Sequence, residues 1–263
     1  AIIPAFFNTL VAAQVGSILP VSAADYVFTS TVLHPMLGFL KVWAAMLGAL
    51  VGGPILAYGF ADYFAFFAPD INRVTLACLI VVSIMIINLL GIRSSVKIQM
   101  VMVSLFVSAL LILAIGGLFY IDGELLTPIA PLGWGAVLAA AVPAYYSYTG
   151  FTMLLSITEE IKNPAKNVPL ITLYTFLIVA FIYTSVTFVV PGLIHWQELG
   201  TIVAPLSAAA ATFLPEWYST AITIAALLAA GTSINMIIIT ASRSFFAVAR
   251  NRIYPQIFNR VSR

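Results

Sequence analysis

Leu138-Ala-Ala-Ala-Val-Pro143-Ala-Tyr145-Tyr146-Ser147-Tyr148-Thr149-Gly150-Phe151 opens a stretch that stays uncharged to Thr158. It closes with Glu159-Glu160-Ile-Lys162-Asn163-Pro164-Ala-Lys166-Asn167-Val-Pro169. The uncharged part reaches back to Leu125. As one helix rising 1.5 Å per residue it would be about 51 Å long, well beyond a hydrocarbon core about 30 Å thick. A loop followed by one broken helix is therefore expected, the helix starting near Trp134 and breaking where polar and aromatic residues surround Gly150. Inside lipid, irregular backbone survives only where it is buried in protein or lines a cavity, because an unsatisfied amide costs several kcal/mol. A break at this place marks a site rather than an anchor.

Working outward, 62% of the 263 residues are hydrophobic and 8% charged, against about a quarter charged in soluble domains. The mean hydropathy of +1.10 points the same way. The charges cluster and leave uncharged runs at Ala1 to Ala24, Val42 to Ala61, Val74 to Ile92, Ile98 to Ile121, Asn167 to Gln197 and Tyr218 to Ser242. Each is close to the roughly 20 residues that cross a bilayer. The expected fold is all-α, a polytopic transmembrane helix bundle in a single domain. Its spans are expected at about 2–19, 37–66, 74–90, 97–120, 134–160, 168–190 and 217–246. The segment near 203–214 is apolar too, but if it crossed, the Arg-rich end would lie opposite every other basic loop. It is read as an interfacial helix on the outer face.

With seven crossings, Lys41, Arg93, Lys97, Lys162, Lys166, Arg243, Arg250, Arg252, Arg260 and Arg263 share one face and only Arg73 lies on the other. That asymmetry places the ten inside. The net charge of +2 then orients helices, and no nucleic-acid partner is expected. Cys78 stands alone in an apolar run and reads as a small buried hydrophobe. His34 beside Pro35 reads as an interfacial histidine. The segment 1–20 lacks an initiator Met, a basic leader and a small-residue cleavage site, so it does not read as a signal peptide. The chain starts inside a helix and stops in a basic stretch, so it is expected to be an internal piece of a longer polypeptide.

Four stretches in order resemble the amino acid, polyamine and organocation permease family. Pro20-Val-Ser-Ala-Ala-Asp25-Tyr26 with Leu33-His34-Pro35-Met-Leu-Gly38-Phe39 is similar to the loop after the family's second helix. Asn88-Leu-Leu-Gly91-Ile-Arg93 resembles the entry to its helix five, and Glu159-Glu160-Ile-Lys162-Asn163-Pro164 with Pro169 the loop after its helix six. Ser242-Arg243-Ser-Phe-Phe-Ala-Val-Ala249-Arg250-Asn-Arg-Ile-Tyr-Pro255 resembles the end of its helix eight. The resemblance implies a five-plus-five inverted-repeat transporter, of which helices two to eight are present, with one of the two helices that break around the substrate. It departs from the family at Ala23-Ala24, where glycines are usual, and at Thr152, where an acid is common. Phe106 stands where some proton-coupled members carry a lysine.

At a helix break, freed carbonyls accept from an ammonium and freed amides donate to a carboxylate. Ser147, Tyr148, Thr149, Gly150 and Phe151 are the expected substrate-binding residues. Thr232 and Ser233, in the polar cluster Gly231-Thr232-Ser233-Ile-Asn235, are the candidate cation-binding hydroxyls by resemblance to sodium-coupled relatives. Glu159, Glu160, Lys162, Asn163 and Pro164 are read as a cytoplasmic gate or loop. No cofactor is expected, and no metal beyond a possible Na+.

The expected function is secondary transport of an amino acid across the plasma membrane, coupled to H+ or Na+. A polyamine or other organocation is the alternative cargo, and a seven-helix receptor is a more distant reading. The absence of a deep acid favours a zwitterion over a dication. No lysine lies at a mid-membrane position for a retinal Schiff base. Enzyme chemistry would want clustered His, Cys or Asp, whereas His34 and His195 fall on opposite faces.

Overall fold

The computed structural model describes residues 1–19, 21, 24–89, 96–156, 158 and 161–250. Among these residues all regular structure is helical. In chain order come α1 (Ile2–Ile18), α2 (Ala24–Phe28) running into a π-helical turn (Thr29–Leu33), α3 (Pro35–Phe64), α4 (Arg73–Leu89), α5 (Val96–Gly117) and α6 (Gly133–Tyr146). A 3₁₀ segment (Thr149–Ser156), α7 (Pro164–Leu193), the short α8 (Trp196–Leu199), α9 (Pro205–Ala211) and α10 (Glu216–Arg250) complete it.

Four of these helices, α3, α5, α7 and α10, are long and apolar enough to cross a membrane, and α1 and α4 are shorter apolar helices of 17 residues each. The spans expected at 2–19, 37–66, 74–90, 97–120, 168–190 and 217–246 fall on α1, α3, α4, α5, α7 and α10, and the segment 203–214 contains α9. The span expected at 134–160 is divided between α6 and the 3₁₀ segment, so the α-helix does break, between Tyr146 and Thr149.

Local chemistry explains the helix starts. Pro35, Pro164 and Pro205 each stand first in their helices, where the missing N–H costs nothing and φ is already helical. Asn72 caps α4, its Oδ1 accepting from the amides of Val74 at 2.9 Å and Thr75 at 3.3 Å.

The chain forms two compact units. The first comprises Ala1–Val51, Leu132–Ala180 and Met236–Arg263, and the second Gly52–Pro131 and Phe181–Asn235.

In the first unit α1 packs on the 3₁₀ segment and on α2 through Ala12, Val15, Ala24 and Leu155. A side chain cannot grow at Gly16. A Cβ there would lie 2.9 Å from Leu155 Cδ2 and 3.0 Å from both Thr158 Cγ2 and Val168 Cγ1. The Thr158 hydroxyl donates across to the Val21 carbonyl at 3.1 Å. A second cluster seats Tyr26 and Val42 against Val248 near the end of α10, and Lys41 pairs with Asp25 at 3.7 Å.

In the second unit α5, α9 and α10 meet through small residues. Ala109, Ala209, Ala210 and Ala225 are buried around Leu113 and Ile222, and small side chains let helix backbones approach closely. The Tyr218 hydroxyl donates to the Ala109 carbonyl at 2.6 Å, and the buried hydroxyls of Ser207 and Thr223 pair at 2.7 Å. Asn88 Nδ2 donates both to the Ile84 carbonyl at 2.9 Å and to Asn235 Oδ1 at 2.7 Å. Arg73 forms an ion pair with Asp62 and lies over the Tyr58 ring, 5.8 Å from its centroid.

Candidate functional site

The break is built from short-range hydrogen bonds. An α-helix ending at Tyr146 leaves its last carbonyls without donors from the following turn. The Tyr148 amide takes the Tyr145 carbonyl at 2.9 Å, and the Thr149 hydroxyl takes that of Tyr146 at 2.8 Å. The chain thus tightens to a three-residue repeat without extending. The Tyr145 carbonyl is met by the amides of both Ser147 and Tyr148, and the Tyr146 carbonyl by the Thr149 hydroxyl. The expectation of wholly freed carbonyls is corrected to that extent.

The five expected binding residues divide by exposure. Ser147 and Gly150 are exposed, Thr149 and Phe151 half-buried, and Tyr148 is buried. Among the described residues, no atom beyond its chain neighbours lies within 4 Å of a Cβ built at Gly150, so this glycine is not demanded by their packing.

The buried side of the break is aromatic. Phe176 of α7 is 2% exposed, and its ring centroid lies 5.5 Å from Phe6, 6.1 Å from Tyr148 and 5.4 Å from Phe151. Such tilted ring pairs are favourable beyond the area they bury. Beside this apolar cluster Asn8 of α1 donates through Nδ2 to the Tyr145 hydroxyl at 3.2 Å. Phe6, Asn8 and Phe176 are not distinguished by the resemblance to a family. Asn8 is one of two amides, with Gln14, in the mostly apolar α1, so the sequence marks a polar side chain there without choosing between them.

The loop after the break is ordered by its own main chain. Asn163 takes a left-handed φ of 50°, a conformation that asparagine tolerates better than most residues. Its carbonyl accepts from the amides of Lys166 at 3.1 Å and Asn167 at 3.0 Å, and Asn167 Nδ2 donates to the Lys162 carbonyl at 2.6 Å. Lys162 and Asn163 are exposed, and Pro164 starts α7. Glu159 and Glu160, the acids of the expected gate, lie outside the described residues, as do Gly91 to Arg93 and residues 251–263.

Thr232 and Ser233 line a cavity of about 180 Å³ in the second unit, with Phe106, Met102 and Leu228 among its walls. The Thr232 hydroxyl donates to the Ala229 carbonyl at 2.9 Å, the local bond that Ser and Thr commonly make in helices. Its oxygen can still accept a cation. Phe106 and the two hydroxyls border the same space, and no charged side chain is among its walls. Among the described residues, no three His, Cys, Asp or Glu side chains are grouped to hold a metal ion.

A family model described as amino acid permease matches residues 1–263. The branched-chain amino acid permease BcaP of Bacillus subtilis is 26% identical, the match covering 99% of this chain and 60% of the relative. The methylthioribose transporter of the same bacterium is 24% identical, covering 95% of this chain and 58% of the relative. Cationic amino acid transporter 4, vacuolar, of Arabidopsis thaliana is 25% identical, with coverages of 95% and 45%. The chain thus spans about half of the length of these curated relatives.

Proposed function

The chain belongs to the amino acid permease family, and from that premise we propose that it forms part of a secondary transporter carrying an amino acid across a membrane. The observation that carries this reading is the end of α6 at Tyr146 and the change to a 3₁₀ repeat from Thr149, inside the segment that the sequence reading expects to cross the membrane. Main chain that has left the α-helical repeat stands there beside open space at Gly150 and an aromatic wall at Phe176. Ser147, Thr149 and Gly150 offer backbone groups to the ammonium and carboxylate of the solute. Tyr148 and Phe151 shape the apolar side, and Glu159, Glu160, Lys162, Asn163 and Pro164 serve as the cytoplasmic gate or loop. The proposed location is the plasma membrane.

Coupling to Na+ or H+ belongs to the same proposal. Thr232 and Ser233 supply hydroxyl oxygens to a Na+ ion, a hard cation that takes oxygen ligands. The apolar ring of Phe106 beside them offers no titratable group to a proton. That contrast favours Na+.

The test uses the protein translated from its complete reading frame and reconstituted in proteoliposomes. Uptake of labelled amino acids is measured under an imposed Na+ gradient and, separately, under a pH gradient. Concentrative uptake of at least one amino acid under the Na+ gradient is the expected result. Uptake of no amino acid under either gradient contradicts the transport reading.

A further inference from the structure

We propose that Asn8 and Tyr145 form a carboxylate-recognition pair, in which the Tyr145 hydroxyl touches the solute and Asn8 positions it. The proposal deepens the transport reading and rests on it.

The two residues are distinguished by where their hydrogen bonds go. The hydroxyls of α1 turn back on their own helix, Thr9 to the Ala5 carbonyl at 2.7 Å and Ser17 to that of Gln14 at 2.7 Å. Asn8 instead reaches across to α6, and Nδ2 donates to the Tyr145 phenol oxygen at 3.2 Å. The phenol oxygen therefore acts as acceptor, and its own proton is left to another group. Among the described residues, none accepts it. A hydroxyl whose oxygen already receives a hydrogen bond is polarised into a stronger donor, and a carboxylate is the acceptor that makes its shortest and strongest bonds.

Position favours the same occupant. Tyr145 stands one turn before the break and its carbonyl carries the first short-range bond, from the Tyr148 amide. Asn8 and Tyr145 are both half-buried, so the pair is not sealed inside the core. No Lys or Arg occurs in α1, α6 or the 3₁₀ segment. An anionic group arriving there has to be met by neutral donors, and the Tyr145 hydroxyl is one already oriented by a neighbour.

The experiment measures uptake kinetics in proteoliposomes for the full-frame protein and for Tyr145→Phe, Asn8→Leu and the double variant. The carboxamide of the transported amino acid, which lacks the carboxylate, serves as competitor. Loss of one hydrogen bond to a charged group is expected to raise KM about tenfold in Tyr145→Phe. Vmax stays close to the unsubstituted value. Asn8→Leu raises KM in the same direction by less, and the double variant is no worse than Tyr145→Phe alone, because both substitutions act on one hydroxyl. Inhibition by the carboxamide is unchanged throughout.

Additive losses in the double variant, a parallel loss for acid and carboxamide, or a fall in Vmax at constant KM would overturn the pair. Unsubstituted protein that transports an amino acid with a KM indifferent to Tyr145→Phe removes the pair and leaves the transport reading standing. Unsubstituted protein that transports no amino acid removes both.

Discussion

Replacing Phe176 by alanine is expected to destabilise the folded protein by about 3–5 kcal/mol, the range for truncating a buried aromatic. The ring is 2% exposed and contacts Phe6 from α1, Tyr148 from the turn at the break and Phe151 from the 3₁₀ segment. Truncation removes the common surface for three rings, and each ring pair contributes about 0.5–1.5 kcal/mol beyond its area. Denaturant titration in detergent micelles reads the stability, and uptake reads the consequence. Phe176→Leu retains much of the volume and is expected to lose clearly less. Equal stability of the alanine variant and the unsubstituted protein would show that the cluster is not a packed unit.

The second large effect is expected at Gly16, and it comes from crowding. The Cβ of any residue there meets Leu155, Thr158 and Val168 together, at 2.9 to 3.0 Å. Leu155 can rotate a methyl away, but Thr158 and Val168 are β-branched and fully buried, so their side chains have little freedom to yield. Gly16→Val therefore has to push Thr158 and the start of α7 away from α1. Overpacking of this kind costs about 1–3 kcal/mol, and here it also strains the Thr158 to Val21 bond next to the break. The expected outcome is a lower melting temperature with uptake largely lost, and Gly16→Ala falls between. Gly150→Ala serves as the control, because open space surrounds a Cβ there. Its melting temperature is expected to match the unsubstituted protein. If Gly16→Val melts no lower than that control, α1 and the 3₁₀ segment are not in the contact described.

These two predictions also mark what could be read before the fold was known. The interruption of the helix was legible in Leu138 to Pro169, because an uncharged run too long for one span contained a polar insert and a glycine. The family resemblance was legible in short motifs at helix ends, where proline, asparagine and charge leave a residue-by-residue imprint.

The pairing of Phe176 with Phe6, or of Gly16 with Val168, had no such imprint. In a soluble helix an apolar stripe betrays the packed face. In a membrane the lipid-facing side is as apolar as the packed one, so the pattern that would place Phe176 inward and Phe181 outward is erased. Asn8 and Gln14 are partial exceptions, since an amide inside an apolar span asks for a polar neighbour. Only the fold identifies the neighbour of Asn8 as Tyr145. The tightening to a 3₁₀ repeat was not legible either, because it depends on the Tyr148 amide and the Thr149 hydroxyl taking the Tyr145 and Tyr146 carbonyls.

The central claim is that main chain between Tyr146 and Thr149 leaves the regular helix and holds the solute. Amide hydrogen exchange across residues 137–156 of the reconstituted protein, with and without a transported amino acid, tests it most directly. The account expects the amides of Ser147 to Phe151 to exchange faster than those of Val137 to Ala144, and to slow when the amino acid is added. Uniformly slow exchange through both segments, unchanged by any amino acid that the protein transports, would contradict it.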